Sequence, residues 1–209
     1  HGGAKKAELA SENERALEGG VGNLMRHVEN ITQVYGLPCA VAINRFPTDT
    51  DAEIKMVKDR CGALGVCAVL SDVWARGGEG GVELAEEVVS LCERPSEFNF
   101  CYSPCDSIRK KIDAVVTRIY HGERAVFAPE AERQLKALTA LGFAKLPVCI
   151  AKTQYSFSDN PALLGAPEGF SVAVRSLRVS AGAGFIVALT GDIMTMPGLP
   201  KSPAAERID

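Results

Sequence analysis

Three short apolar runs set the terms on which this chain can fold: "LPCAVAIN" (37–44), "VCAVLSDV" (66–73) and "LPVCIA" (146–151). Each is of strand length and nearly continuous rather than alternating. That pattern predicts strands covered on both faces, as in a parallel sheet. Between the first two runs, Ile54, Val57, Cys61 and Leu64 recur on one helical face, and Gly65 ends it. After the second, a glycine-rich loop, "RGGEGG" (76–81), leads into a helix over roughly 82–93. Upstream, Leu24, Val28, Ile31 and Tyr35 predict a helix over 23–35, with Asn23 as N-cap and Gly36 as the stop. A β-α-β-α order implies a parallel sheet with a right-handed crossover.

"ERPSE" (93–97) reads as a linker, dividing a segment 1–97 from a smaller α/β domain 98–209. The second part opens on a short run, "FNFCYS". A helix with Ile108, Ile112, Val115 and Ile119 on one face follows, then another over 130–141 carrying Leu135, Leu138 and Leu141. "LPVCIA" is its first buried strand. After a long polar loop, "FSVAVRSLRV" and "FIVALTG" read as two strands joined by "SAGAG", and "DIMTMPGLP" as irregular chain.

Several function classes are excluded or disfavoured. The net charge of −3 argues against a nucleic-acid surface, which shows a basic stripe. No apolar run has the length of a membrane span, and the expected location is cytoplasmic, with organellar targeting upstream left open. The seven cysteines sit mostly inside apolar runs and read as reduced, small hydrophobes. There is no C-x-x-C, and no histidine lies near Cys101 and Cys105, so no zinc site is expected. Three histidines (His1, His27 and His121) support neither a triad nor a metal cluster; His27 reads as a helix-surface or half-buried side chain. G-x-x-x-x-G-K-[ST] is absent, so a nucleotide-phosphate site has no location in this chain. The chain begins with His rather than Met and carries no signal peptide, which reads as a piece of a longer polypeptide.

In open α/β sheets, ligands bind beyond the carboxyl ends of the strands. Phe46 stands just past the first strand, and Trp74, the only tryptophan, just past the second. Parallel strands bring both rings to one edge. Singly, such a ring more often closes the end of a core than clamps a ligand. Together, inside polar loops, they favour a clamp on a flat heterocycle, with stacking worth on the order of 1 kcal/mol per ring beyond area burial. Asn44 and Arg45 satisfy either loop backbone or a ligand's polar edge, and Pro47 stiffens the loop. Thr48 or Thr50 caps the helix that starts near Asp51, with Glu53 in its first turn. Lys152, Thr153 and Gln154 end the third strand; they either face a ligand or cap the strand end. Arg175 and Arg178 read as solvent-facing or ion-paired.

"AINRFPTDT", "VWARGGEGG", "LPVCIAKTQYSFSD", "VSAGAGFIVALTGDIMTMPGLP" and the opening "HGG" resemble the carboxyl-terminal part of formate–tetrahydrofolate ligases, across the whole of 1–209. The resemblance implies a parallel βαβ sheet that continues a P-loop-type nucleotide-binding architecture. It also implies an ATP-dependent enzyme that makes formyl phosphate and transfers the formyl group to tetrahydrofolate N10. By resemblance, Phe46 and Trp74 sandwich the pterin, and Pro47 and Leu70 line the same pocket. Asn44, Arg45, Lys152 and Gln154 are possible polar support. No catalytic or metal-ligating residue is expected here. ATP with Mg²⁺ belongs mainly to the missing amino-terminal portion, and a monovalent cation, without assigned ligands, is also implied. The implied partners are tetrahydrofolate, formate, that missing portion and further copies in a tetramer or dimer; the segment alone is expected to be inactive. The alternative is a catalytically inactive module that keeps the fold for assembly.

Overall fold

The computed structural model describes residues 2–191, so the "DIMTMPGLP" stretch lies outside the described residues. The first sheet has two strands, β1 (Ala40–Asn44) and β2 (Cys67–Ser71), parallel and in register from Ala40↔Cys67 to Asn44↔Ser71. Helix α2 (Asp51–Ala63) makes the crossover. Its start is the capping box that "TDAE" announces. The Glu53 amide donates to Thr50 Oγ1 and the Thr50 amide to Glu53 Oε2, each at 3.3 Å. The other oxygen of Glu53 accepts the Asn13 amide at 2.9 Å, so one carboxylate ties together the starts of two helices. Past α2, Gly65 takes φ +70°, a left-handed turn that returns the chain to β2. A short turn of helix, α3 (Val73–Arg76), and α4 (Val82–Cys92) complete this half.

Helix α1 spans Glu14–Glu29, and so begins nine residues before the point that apolar periodicity marks. Asn13 is the cap, its Oδ1 accepting the Ala16 amide at 2.9 Å. The first turns contain Gly19, Gly20 and Gly22, which carry no apolar signal. Asn23 instead points outward from mid-helix and donates to the Gly165 carbonyl at 2.9 Å. After α1 the chain widens into one turn with i→i+5 bonding, Tyr35 amide to Asn30 carbonyl at 3.0 Å, before Gly36 (φ +66°) ends it.

The second sheet has the order β3-β5-β6-β4, formed by β3 (Arg124–Phe127), β4 (Val148–Ala151), β5 (Ser171–Ser180) and β6 (Phe185–Thr190). β3/β5 and β4/β6 are parallel, and β5/β6 form an antiparallel hairpin. β3 was not expected. Four residues, "RAVF", directly before a helix are too short to show a period. Helices α5 (Ile108–Ala114) and α6 (Pro129–Ala140) cover this sheet. Their contact buries Ile108, Ile112, Val116, Ala131, Val172, Val174, Leu177, Ile186 and Ala188 in one cluster. Each fully buried Val or Ile there contributes about 1.5–3 kcal/mol. Lys111 is buried with them, and its ammonium donates to the Ala144 and Leu146 carbonyls at 2.9 and 3.0 Å. "FNFCYS" is not a strand. Its backbone bonds to the wide turn after α1 (Asn99 amide to Tyr35 carbonyl, 3.0 Å), and Phe98 and Phe100 stay exposed.

The two halves are stitched by α1. Besides Asn23, Arg26 pairs with Glu168 at 2.7 Å and Asn30 donates to the Ile119 carbonyl at 2.9 Å. The His27 ring lies 4.7 Å from that of Phe157.

Coverage differs between the two strands. In β2 the adjacent Ala68 and Val69, which face opposite sides, are both buried, whereas no residue of β1 is fully buried among the described residues, and Ala42 and Asn44 are exposed. Nor are the cysteines uniformly buried: Cys61 and Cys101 are, but Cys67, Cys92, Cys105 and Cys149 are exposed, and all seven are free thiols. The reason is topological. β1 and β2 have no further neighbours among the described residues, and β4 is an edge of its sheet. Among the described residues, no helix is long and apolar enough to cross a membrane.

Candidate functional site

The parallel register Asn44↔Ser71 delivers both chains to the same edge of the first sheet. Beyond it, the Arg45 amide donates to the Ser71 carbonyl at 3.2 Å, extending the ladder by one bond. The chain then closes a tight turn. The Phe46 amide donates to Asp49 Oδ2 at 2.8 Å, and the Asp49 amide donates to the Phe46 carbonyl at 3.0 Å. The Arg45 guanidinium lies 3.5 Å from Asp51, over the first turn of α2. Phe46 leaves this turn with its side chain outward, 61% exposed.

The other side of the site is built on the glycine-rich turn. From Asp72 the chain enters α3, which carries Trp74 at 78% exposure. The Asp72 amide donates to the Gly80 carbonyl at 3.0 Å. A Cβ at Gly80 would stand 2.3 Å from the Asp72 carbonyl oxygen, so only glycine permits this approach. "RGGEGG" is therefore a backbone clasp under the Trp74 turn. It forms a 3₁₀ turn over Gly77–Gly81.

A cavity of about 210 Å³ lies at this edge, lined by Asn44, Arg45, Phe46, Pro47 and Trp74. It is smaller than the roughly 300–1,000 Å³ of sites that engulf a drug-sized ligand. Neither ring belongs to the buried core cluster of the described residues, and exposed apolar surface is one mark of an interaction site.

Not every residue singled out in the sequence comes to this place. Leu70 sits one layer down in β2, half-buried and paired in register with Ile43, and is not in the cavity wall. Lys152 and Gln154 follow β4, in the second sheet. The Lys152 ammonium donates to the Thr153 carbonyl at 2.9 Å and, closely, to the Ser156 carbonyl, and lies 5.2 Å from the centre of the Tyr120 ring. Burial lowers its pKa, opposed by the charge of Asp159. It ties the polar loop to the strand end. Gln154 is exposed.

Two residues that build the site escaped the sequence reading. Asp49 reads in the sequence as part of the helix start, although an Asp side chain also bonds backbone groups three residues back. Gly80 was read only as part of a tight turn. A second hollow, about 370 Å³, separates the amino-terminal segment from α1 and α2. Its charged walls, Glu8 and Glu53, accept backbone amides (Lys5, Asn13 and Thr50). Among the described residues, no group of three or more His, Cys, Asp or Glu is placed to hold a metal ion.

The model of the family described as formate–tetrahydrofolate ligase matches residues 1–209. A curated relative, the formate–tetrahydrofolate ligase of Symbiobacterium thermophilum, is 57% identical over 209 residues, which is 100% of this chain and 38% of the relative. The chain therefore spans well under half the length of the relative it matches.

Proposed function

The chain belongs to the formate–tetrahydrofolate ligase family, and from that premise we propose that it forms the folate-holding part of such an ligase. In the reaction, formate attacks the ATP γ-phosphoryl group, giving formyl phosphate and ADP. The N10 amine of tetrahydrofolate then attacks the formyl carbon. The C–O bond to phosphate breaks, phosphate leaves, and the amine proton is lost to give 10-formyltetrahydrofolate. The observation that carries the proposal is the pair of exposed rings, Phe46 and Trp74, bordering one small cavity at the carboxyl edge of two parallel strands.

In this reading the pterin enters between Phe46 and Trp74, with Pro47 closing one side and Asn44 and Arg45 meeting its polar edge. Leu70 lies beneath, supporting the floor through β2. In this reading the bicycle occupies the cavity of about 210 Å³ and the rest of the folate projects outward, with N10 at the mouth. Formyl phosphate hydrolyses readily, so a rigidly oriented amine and an apolar, water-poor wall serve the transfer step. ATP and Mg²⁺ are assigned mainly to the part of the family polypeptide beyond this chain, where the phosphate loop of the family belongs, and the monovalent cation is left without assigned ligands. No step is derived through them. Assembly into a homo-oligomer and a cytoplasmic location belong to the same proposal.

The test is steady-state kinetics of the full-length ligase carrying this segment. Trp74→Ala and Phe46→Ala should each raise the KM for tetrahydrofolate by about 30-fold, with the KM for ATP unchanged, from lost stacking and burial. Unaltered folate kinetics in both variants would refute the clamp.

A further inference from the structure

A ring can clamp a ligand only if its backbone is held. Phe46 is on a loop, 61% exposed, and no residue of the core packs it in place. What holds its backbone is Asp49. The Asp49 carboxylate accepts the Phe46 amide at 2.8 Å, while the Asp49 amide returns a bond to the Phe46 carbonyl at 3.0 Å. Both polar backbone groups of Phe46 are thus closed onto one residue three positions ahead. Pro47, with φ restrained, lies inside the closed turn and removes a further degree of freedom.

The helix itself does not need this carboxylate. Thr50 is the N-cap of α2, Glu53 completes the box, and Asp51 supplies first-turn charge. Asp49 precedes the cap, and its oxygen points back to Phe46 rather than forward into the helix. Asp49 also borders an apolar hollow with Ile43, Ile54 and Leu17, so the turn rests on the carboxyl end of β1 and on the α1–α2 contact.

We infer that Asp49 is a positioning residue for folate binding. It fixes the Phe46 backbone so that the ring stands in place before the pterin arrives, and thereby lowers the ordering cost of closing the clamp. The inference rests on the proposed clamp and adds to it a residue that never touches the ligand. It follows that an acceptor oxygen at position 49, rather than a negative charge, is what binding requires.

The experiment uses the full-length ligase with four variants: Asp49→Ala, Asp49→Asn, Phe46→Ala and the double variant Phe46→Ala/Asp49→Ala. Asp49→Ala should raise the KM for tetrahydrofolate about tenfold, the worth of one lost backbone tether, with kcat at saturating folate and the KM for ATP unchanged. Asp49→Asn keeps an acceptor oxygen and should return the folate KM to within about threefold of the parent. The double variant should bind folate no worse than Phe46→Ala, because the tether has nothing left to position. If Asp49→Ala leaves the folate KM unchanged while Phe46→Ala raises it, the positioning role is overturned and the clamp stands. If neither variant moves it, the clamp itself is overturned. If Asp49→Asn is as impaired as Asp49→Ala, or if the two losses add in the double variant, Asp49 acts by charge or directly, and the inference fails. Thermal unfolding of Asp49→Asn at the parent's midpoint keeps the comparison free of misfolding.

Discussion

The two sheets of this molecule solve different problems. The second, β3-β5-β6-β4, closes a core: α5 and α6 cover it, and nine apolar residues form one buried cluster. The first, β1-β2, closes a smaller one: Ala68 and Val69 of β2 are buried, with α2 and α4 packed against that strand. Its own strand β1 has no buried residue, while Phe46, Val73, Trp74, Val82, Val88 and Val89 stand exposed around it. A two-stranded sheet is marginal by itself. Exposed apolar side chains are not confined to that half, since Phe98, Phe100, Val126 and Leu141 stand exposed in the other. The large buried cluster and the candidate site lie in opposite halves of the chain, and α1 with its C-cap Asn30 joins them through bonds to Gly165, Glu168 and Ile119.

The sharpest way to break this comparison is to remove the same kind of side chain from each half. Ile112→Ala should destabilise the chain by about 2–5 kcal/mol in urea unfolding, since Ile112 is fully buried in the second core. Val89→Ala, at 61% exposure on α4, should stay within about 0.5 kcal/mol. Equal losses would show that the two halves share one core. Gly80→Ala should come next, at about 2–3 kcal/mol, because its methyl would meet the Asp72 carbonyl oxygen at 2.3 Å and the backbone must move. This loss should appear as faster amide exchange across 72–81, with exchange in the second sheet unchanged.

The smallest effect probes the joint between the halves. Burial against the second half lowers the pKa of His27, and the charge of Lys152 lowers it further. As the pH falls below the ordinary value of 6.5, the unfolded chain takes up a proton that folded His27 resists, so stability declines in that range and is recovered above it. His27→Gln should flatten this shallow decline. Lys152→Met should raise the His27 titration midpoint followed by NMR. A midpoint unmoved by Lys152→Met would mean that the two halves do not meet there.

Much of this was legible because local signals and tertiary structure agreed. "TDTDAE" was read as the start of a helix and forms the Thr50–Glu53 box. The apolar runs at 37–44 and 66–73 became a parallel pair with α2 between them, and that pairing places Phe46 and Trp74 on one edge. The errors have common causes. Glycines hid the first turns of α1, because a residue without a side chain adds nothing to a hydrophobic period. β3 was too short to show alternation. For β1 and β4, a continuous apolar run says what a strand tolerates and leaves open which element finally covers it.

The sequence by itself determined most of the longer elements, the capping box of α2, the edge at which the rings emerge and, through its long motifs, the family. Only the tertiary structure decided how the rings are held. The Asp49 turn and the Gly80 clasp depend on distances between backbone groups several residues apart, which composition and period do not encode. It also decided that Leu70 lies under the site and that Lys152 serves its own loop, because strand order and register, not distance along the chain, place side chains together.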